Sequence, residues 1–399
     1  MRRFFYVALL LFLTLQTDAQ CDAPVRSKED TTLAGTQLID FANSLTPRQY
    51  YTFDSLLNVI CQKLNGVLLV AIDDSVIYCR SAGYLKLYSK AGYPQYNTAQ
   101  RADMRRKKSN AITPDTFFEL ASLSKQFTAA AVLKLVSEEK LSLQDTLRHF
   151  FPKLPYQNIT IHHLLSHTSG LPEYFNFKLN RYDTSNLLTN NELVNVLTKY
   201  RPKILFQPGT QYQYINTNYA LLAAIVALVS DMKFETYVRQ NLFLPAGMSN
   251  TFFITEKSLQ NQAKIATGHL RSESEVKPYF MDGTMGDKGI YSNVLELFKW
   301  YKAYFLDYKI LPKEWVEYAS QQENCLFGVD SMPELYGYGL RLKVHKKYGY
   351  YIYHGGLWRG YNHVWIYRPS DRFYAIFLSN FVNGGHRGRT LQLMQIKDK

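Results

Sequence analysis

The sequence predicts a mixed α/β fold of the α+β type, in which an antiparallel sheet made from both chain ends is flanked by helices. A mostly helical subdomain is inserted between the two parts of the sheet. Strand-like segments lie at 66–84 and again in the last third of the chain, and the residues between them have helical apolar spacing. We place the folded domain at 49–397, with sheet parts at 49–121 and 285–397 and the helical subdomain at 122–284.

A predicted helix precedes the first two strands, which form a hairpin. Helical spacing of apolar residues predicts a helix over 53–64. Gly66–Ile72 has the composition of a buried strand, 73–75 that of a turn, and 76–84 that of a second strand. Residues 85–115 are irregular and basic in pattern, and we expect no regular element there.

The middle and last thirds of the chain differ in pattern. Helices are predicted at 122–138, Ile161–Leu165, 191–197, 219–229 and 234–242. β-Branched and aromatic residues then predict strands at 338–344, 350–354, 362–367 and Phe373–Ser379. The sequence Arg-Pro-Ser-Asp at 368–371 indicates a turn between the last two strands.

The first 19 residues have the layout of a secretory signal peptide. Arg2 and Arg3 precede an apolar run over 4–15, and Ala19 ends a small-residue cleavage site. The run of about 12 residues is too short for a membrane-spanning helix, which needs roughly 20, and no later stretch is long and apolar enough. We expect a periplasmic or secreted protein with a polar lead-in at 20–48. A lipid anchor at Cys21 is disfavoured because no apolar residue stands three places before it.

Charge and cysteine content limit the partners. The formal net charge is +13, with the densest basic run at 101–108. That run would suit an anionic cell-wall polymer or lipid headgroups, or it is a solvated loop, whereas export argues against nucleic acid. The four cysteines are too few for a disulfide scaffold, and Cys61 and Cys79 form either one disulfide or two buried thiols.

The strongest chemical signal is Ser122-x-x-Lys125 at the start of the helix predicted over 122–138. The i, i+3 spacing places both side chains on one helix face. A serine hydroxyl needs a neighbouring base, and burial beside a second cation would lower the pKa of Lys125 enough for it to serve. Backbone N–H groups at a helix N-terminus can also stabilise an oxyanion. Ser-x-x-Lys occurs four times, but the copies at Ser137, Ser230 and Ser274 lack this context.

Two further elements follow in order along the chain. Tyr214-x-Asn216 stands between a Pro-Gly turn and a predicted helix, where a phenol can relay a proton and an amide can orient Lys125 and a substrate carbonyl. His354-Gly355-Gly356 lies at the end of a predicted strand, where glycines allow a substrate to approach the backbone. His354 could recognise an anion or pass a proton, and the N–H of Leu357 is placed to be a second oxyanion donor.

With these three elements in order, the chain resembles the serine β-lactamase and penicillin-binding-protein superfamily, on the side of class C β-lactamases, D-alanyl-D-alanine carboxypeptidases and esterases. The phrases Thr-Pro-Asp-Thr-Phe-Phe-Glu-Leu at 113–120, Leu-Leu-Ser-His-Thr-Ser-Gly-Leu at 164–171 and Gly-Asp-Lys-Gly-Ile-Tyr-Ser at 286–292 support the resemblance, which covers roughly 50–395. It implies a β-lactamase/transpeptidase-like fold and no cofactor or metal. Many β-lactamases have Lys-Thr-Gly as the third element, so His-Gly-Gly weakens the case for antibiotic hydrolysis.

The resemblance also implies roles for the residues. Ser122 would be acylated, Lys125 and Tyr214 would share the general-base work, and Asn216 would hold the substrate amide. Gly355, Gly356, Leu357 and Trp358 would line the substrate cleft. The expected substrates are small esters, β-lactams or D-amino-acid peptides, with peptidoglycan as a further partner.

Two other interpretations remain at this point. The chain could be a catalytically silent family member that binds peptidoglycan or a protein partner. His163 and His167 are four residues apart and could form a metal pair, although no third ligand is apparent. The sequence contains neither Gly-x-Ser-x-Gly nor His-Glu-x-x-His, which argues against an α/β-hydrolase and a zincin metalloprotease.

Overall fold

A computed structural model of the chain describes residues 65–90, 92–177, 186–256, 264–271, 273–321 and 334–382. The predicted signal peptide, lead-in and helix over 53–64 lie outside the described residues. So do Cys21, Cys61 and Cys325, and with them the proposed Cys61–Cys79 disulfide.

The main sheet joins the two ends of the described chain. Its strands are β1 (Gly66–Ile72), β2 (Ser75–Ala82), β6 (Glu334–Tyr336), β7 (Arg341–His345), β8 (Gly349–Trp358), β9 (Tyr361–Arg368) and β10 (Phe373–Ser379), in the order β2-β1-β10-β9-β8-β7-β6. All neighbours pair antiparallel, and β1 pairs with β10 from Gly66↔Ser379 to Ile72↔Phe373. A smaller sheet has the order β3-β5-β4 and consists of β3 (Phe118–Glu119), β4 (Phe252–Phe253) and β5 (Ile290–Ser292). The predicted mixed fold with an antiparallel sheet from both ends is therefore confirmed.

The central strands are apolar on both faces because two cores cover them. Val67 and Leu69 of β1 point into the larger core, whereas Leu68 and Val70 belong to a second cluster on the opposite face. This two-sided burial explains why β1 is a continuous apolar run instead of an alternating one.

All helices of the described residues except the first bury side chains in the larger core. The helices are α1 (Thr98–Arg106), α2 (Lys125–Ser137), α3 (Leu147–Phe150), α4 (Ile161–Leu165), α5 (Asn190–Tyr200), α6 (Asn216–Ser230), α7 (Phe234–Val238), α8 (Val294–Tyr301) and α9 (Lys313–Ala319). Helix α2 is apolar on nearly all sides, as expected for a helix in the centre of a core. Its Phe127 ring lies 4.5 Å from the Trp300 ring and 5.4 Å from the Phe243 ring. Helix α2 also packs against α6, and their N-terminal ends carry the two polar motifs of the middle region.

The prediction for 85–115 was wrong, because this segment contains α1. Asn97 caps α1 by accepting from the N–H of Gln100, whose side chain in turn accepts from the N–H of Asn97. None of the α1 residues is buried, so the helix has no apolar stripe that a periodicity search could detect.

Two strand boundaries also differ from the predictions. The strand expected from 338 starts at Arg341, because 337–340 form a turn in which the N–H of Gly337 donates to the carbonyl of Leu340 over 2.8 Å. The strand expected to end at His354 continues to Trp358, so the His-Gly-Gly element lies inside β8. In the described part of the chain, no helix is long and apolar enough to cross a membrane.

Candidate active site

The predicted nucleophile, Ser122, lies in a tight 3₁₀ turn over Ala121–Ser124 that leads directly into α2. Ala121 has a φ of 50°, a conformation that is uncommon for a residue with a Cβ. The buried Glu119 carboxylate holds this backbone: one oxygen accepts from the N–H of Ala121 over 2.9 Å and the other from the N–H of Gly289 over 2.8 Å. The turn that presents Ser122 is therefore fixed by a side chain three residues before the nucleophile.

Gly356 is the point where β8 meets this turn. A Cβ at Gly356 would lie 2.6 Å from the carbonyl oxygen of Leu120, which is too close for any side chain. At Gly355 the nearest atom to a Cβ would be 3.7 Å away, an ordinary contact. Close packing of backbone on backbone thus explains the second glycine of the element.

Lys125 is fully buried and lies between the two motifs of the middle region. Its Nζ is 3.1 Å from Ser122 Oγ, and it donates to Asn216 Oδ1 over 2.7 Å and to the carbonyl of Asp287 over 2.9 Å. Burial lowers the pKa of Lys125 to about 8, and Arg341 acts in the same direction, against the carboxylates of Asp287 and Glu173. The expected burial and the expected second cation are both present.

Tyr214 is held beside the same lysine by packing of its ring. The ring centroid lies 5.0 Å from Lys125 Nζ and 4.9 Å from the Arg341 guanidinium. The buried hydroxyl makes no hydrogen bond of normal geometry with the described residues. Burial raises the pKa of Tyr214 above its usual value, although neighbouring Ser122 and Arg341 oppose the rise. Burial therefore favours the neutral phenol, the form that can relay a proton.

Asn216 begins α6, and its amide orientation is set by Glu173. A single Glu173 oxygen accepts from both the backbone N–H and Nδ2 of Asn216, over 2.8 and 2.9 Å, which turns Oδ1 towards Lys125. Nδ2 has a second hydrogen, which a substrate carbonyl could accept without displacing Glu173.

His354 is buried and neutral. Its Nδ1 lies 2.6 Å from the carbonyl of Gly355, so Nδ1 carries the proton, and Nε2 is 3.1 Å from the hydroxyl of Tyr336. Burial lowers the pKa of His354 well below the usual value, and the charges on Arg341 and Lys125 add to this. A neutral imidazole with both nitrogens engaged does not fit the expected anion-recognising role.

These residues open into one cavity of about 500 Å³. The predicted site residues that line it are Ser122, Tyr214, Asn216, His354, Gly355, Gly356, Leu357 and Trp358, whereas Lys125 is not among the lining residues. The lining residues that the sequence did not predict are Phe175, Asp287, Lys288, Arg341, Tyr353, Asn362, His363 and Val364. Of these, Asp287 and Lys288 lie in the segment 286–292, whose sequence supports the family resemblance. No sequence motif around Arg341 or Glu173 could have identified them, because tertiary packing alone brings them to the site.

One wall of the cavity is aromatic and held rigidly. The Trp358 and Phe175 rings stack with centroids 4.8 Å apart, and Trp358 Nε1 donates to Asp282 over 3.0 Å. The buried Lys288 Nζ lies 5.3 Å from the Trp358 ring and is held by the Tyr174 hydroxyl over 2.7 Å. Leu357, next to this wall, is 63% exposed.

The two histidines considered as a metal pair have other partners. His163 Nδ1 accepts from the N–H of Thr160 over 3.2 Å, and His167 Nδ1 accepts from the N–H of Ile215 over 3.1 Å. No group of three metal-ligating side chains occurs among the residues that the structure describes.

Comparisons with known proteins agree with this arrangement. The sequence profile of the Beta-lactamase family matches residues 58–396. A penicillin-binding protein of Bacillus subtilis is 31% identical over 80% of this chain and 68% of its own length. A D-aminopeptidase of Brucella anthropi is 26% identical over 74% of this chain but only 55% of its own length. The solved D-amino acid amidase of Ochrobactrum anthropi, in complex with L-phenylalanine, has a TM-score of 0.69 at 19% identity and covers 88% of this chain and 96% of that one. The chain therefore belongs to the Beta-lactamase family, within the superfamily of serine hydrolases that share the penicillin-binding-protein fold.

Proposed function

We propose that the protein is an exported serine hydrolase that cleaves an ester, amide or peptide bond through an acyl-Ser122 intermediate. The observation that supports this most directly is the buried Lys125 Nζ at 3.1 Å from Ser122 Oγ, with a pKa lowered to about 8. An amine with that pKa is neutral in a useful fraction of molecules near neutral pH, which a general base requires.

The reaction balances with the chain's own groups. Neutral Lys125 takes the hydroxyl proton as Ser122 Oγ bonds to the substrate carbonyl carbon, and the carbonyl electrons move onto oxygen. The backbone N–H groups of Ser122 and Leu357 would stabilise that oxyanion. The bond to the leaving group then breaks, and Lys125 returns the proton to it through the Tyr214 hydroxyl. In the second half of the reaction, water attacks the carbonyl carbon of the acyl-Ser122 ester while Lys125 takes a proton from the water. The bond to Ser122 Oγ then breaks, the proton returns to Oγ, and a carboxylic acid leaves.

The strand β8 offers an edge for a peptide-like substrate. Arg341↔Tyr353 is the last pair between β7 and β8, and within the described residues 354–358 pair with β9 alone. At about 3.3 Å per residue, the Trp358 wall lies roughly 16 Å along β8 from Tyr353, which faces Arg341. A substrate on this edge would have the Arg341 cation at one end and the Phe175–Trp358 wall at the other.

D-amino-acid peptides and amides are the substrate class that we favour. The relatives named as a penicillin-binding protein and a D-aminopeptidase support this class, as does the amidase with the same fold. The neutral His354 in place of a lysine in the third element disfavours β-lactams as the main substrate.

The test is covalent labelling followed by turnover. The wild type, Ser122→Ala and the matched control Ser137→Ala are incubated with a fluorophosphonate and with a penicillin, and the adducts are located by mass spectrometry. We expect an adduct on Ser122 in the wild type and in Ser137→Ala. The same three proteins are then assayed on short-chain p-nitrophenyl esters, D-alanine p-nitroanilide and an N-acyl-D-alanyl-D-alanine. Folded wild type without adduct or turnover, but with binding to purified cell wall that survives Ser122→Ala, would instead support the silent binding protein.

Export is the second half of the proposal and rests on the N-terminal pattern of 1–19. Amino-terminal sequencing of the protein from the periplasm or medium should begin at Gln20. A mature protein that retains Met1 and stays in the cytoplasm would refute export without affecting the hydrolase assignment.

A further inference from the structure

We infer that His167 is a positioning residue that aims Tyr214 and Asn216 at the Ser122–Lys125 pair. The inference rests on the proposed function, because it concerns the speed of Ser122 acylation. His167 lies in the loop after α4, remote in sequence from both residues that it would position.

The contacts of His167 converge on one short segment. Its carbonyl accepts from the N–H of Gln213 over 3.0 Å, and its Nδ1 accepts from the N–H of Ile215 over 3.1 Å. Nδ1 also lies 3.1 Å from Nδ2 of Asn218, the third residue of α6. These contacts bracket Tyr214 and Asn216 on both sides.

The ring of His167 supports Tyr214 directly. The two ring centroids are 4.4 Å apart with planes at 35°, and the Tyr336 ring centroid lies 4.5 Å from that of His167 and 5.8 Å from that of Tyr214. The hydrogen bonds that His167 accepts from Gln213 and Ile215 restrain the backbone on either side of Tyr214, and the contacts of the ring with His167 and Lys125 add to this restraint.

The hydrogen bonds also fix the tautomer. A backbone N–H can only donate, so Nδ1 of His167 must be unprotonated and the proton resides on Nε2. An imidazolium would place an N–H against the N–H of Ile215. Burial and the charges on Lys125 and Arg341 lower the pKa of His167 well below its usual value, so the accepting form persists throughout the working pH range.

Asn218 is the second residue that restrains the His167 ring, through its contact with Nδ1. The Ser169 hydroxyl donates to Oδ1 of Asn218 over 2.6 Å, which turns Nδ2 of Asn218 towards His167. His167 itself has a φ of 58°, a conformation that Asn tolerates well. Oδ1 of an asparagine would also occupy nearly the place of Nδ1, since both atoms are bonded to Cγ. His167→Asn therefore keeps the acceptor and loses the ring, whereas His167→Phe keeps the ring and loses the acceptor.

The experiment compares these two variants with the wild type and with His163→Asn, a control on the neighbouring α4. The readouts are the melting temperature, the second-order rate of Ser122 labelling by a fluorophosphonate, and kcat and KM on a p-nitrophenyl ester. Misplacing a reacting group by about 1 Å can cost about 100-fold, so we expect His167→Phe to lose about 10- to 100-fold in labelling rate and kcat with little change in KM. His167→Asn should stay within about 5-fold of the wild type, and His163→Asn should be unchanged. Equal losses in both His167 variants, or no loss in His167→Phe, would overturn the inference.

Two further measurements separate this inference from the proposed function. Amide hydrogen exchange of the peptide containing Gln213 and Ile215 should be slow in the wild type and His167→Asn and faster in His167→Phe, whether or not Ser122 reacts. If His167→Phe does not fold, Asn218→Ala provides the test, because it removes the contact between Asn218 Nδ2 and His167 Nδ1 and leaves the histidine in place. We expect a smaller loss of labelling rate there, and an unchanged rate would contradict the inference. A folded wild type that never labels would count against the proposed function, while the exchange result would still decide the role of His167.

Discussion

The pH dependence of Ser122 acylation follows from the burial of Lys125. With a pKa of about 8, roughly 1% of Lys125 is neutral at pH 6, about 9% at pH 7 and about 50% at pH 8. If neutral Lys125 is the base, the labelling rate should rise about 50-fold from pH 6 to pH 8 and less than about 2-fold from pH 8 to pH 9. The measurement is the second-order rate with a fluorophosphonate, corrected for alkaline hydrolysis of the probe.

The pH at which the labelling rate rises should depend on a neighbouring charge. Arg341 lowers the pKa of Lys125, so Arg341→Gln should shift the rise to higher pH, whereas Arg341→Lys should retain it. Arg372→Gln is the matched control, because Arg372 is 61% exposed and pairs with Asp73 over 3.2 Å on the surface. A wild-type rate that is flat between pH 6 and pH 9 would refute Lys125 as the base.

Three other expectations concern stability and the cavity. Gly356→Ala should lower the free energy of unfolding by about 1–3 kcal/mol, and with it the melting temperature, because the added Cβ would meet a backbone oxygen. Gly355→Ala is the control and should leave the melting temperature unchanged, so equal melting temperatures of the two variants would contradict this explanation. Glu173→Ala, which removes both acceptor oxygens, should slow labelling of Ser122 at pH 9, where Lys125 is already mostly neutral, by releasing the Asn216 amide; a crystal structure with that amide unmoved would count against the explanation. Trp358→Ala should reduce kcat/KM more for D-phenylalanine p-nitroanilide than for D-alanine p-nitroanilide, and an equal reduction for both would exclude the aromatic wall as a specificity determinant.

The sequence predicted those features that depend on local spacing. Ser122 and Lys125 are one turn apart, so their proximity follows from a helical pattern alone, and the structure places them within 3.1 Å. The apolar runs that became β1 and β10 were recognisable because both faces of these strands are buried. Helix α1 was missed because it has no buried residue.

The features that escaped prediction depend on partners far along the chain. Arg341 affects Lys125 only because β7 lies beside the cavity, and Glu173 fixes Asn216 from a loop 43 positions away. The protonation state of His354 could not be predicted either, because a motif does not reveal that burial and two hydrogen bonds will keep the imidazole neutral. Charge state is a property of the packed environment, whereas motif spacing reports only which groups can meet.

The pairing of β1 with β10 has a consequence for the order of folding. Asn65 and Asn380, at the ends of these strands, bond over 2.5 Å although they are 315 positions apart. A contact of such high order forms only after a very long loop has closed, so the sheet cannot be completed before β10 has been synthesised. The turn that presents Ser122 gains its Gly356 neighbour equally late in synthesis. Until β8 and β10 have been synthesised, the chain therefore lacks both the completed sheet and the Gly356 backbone that packs against the turn of Ser122.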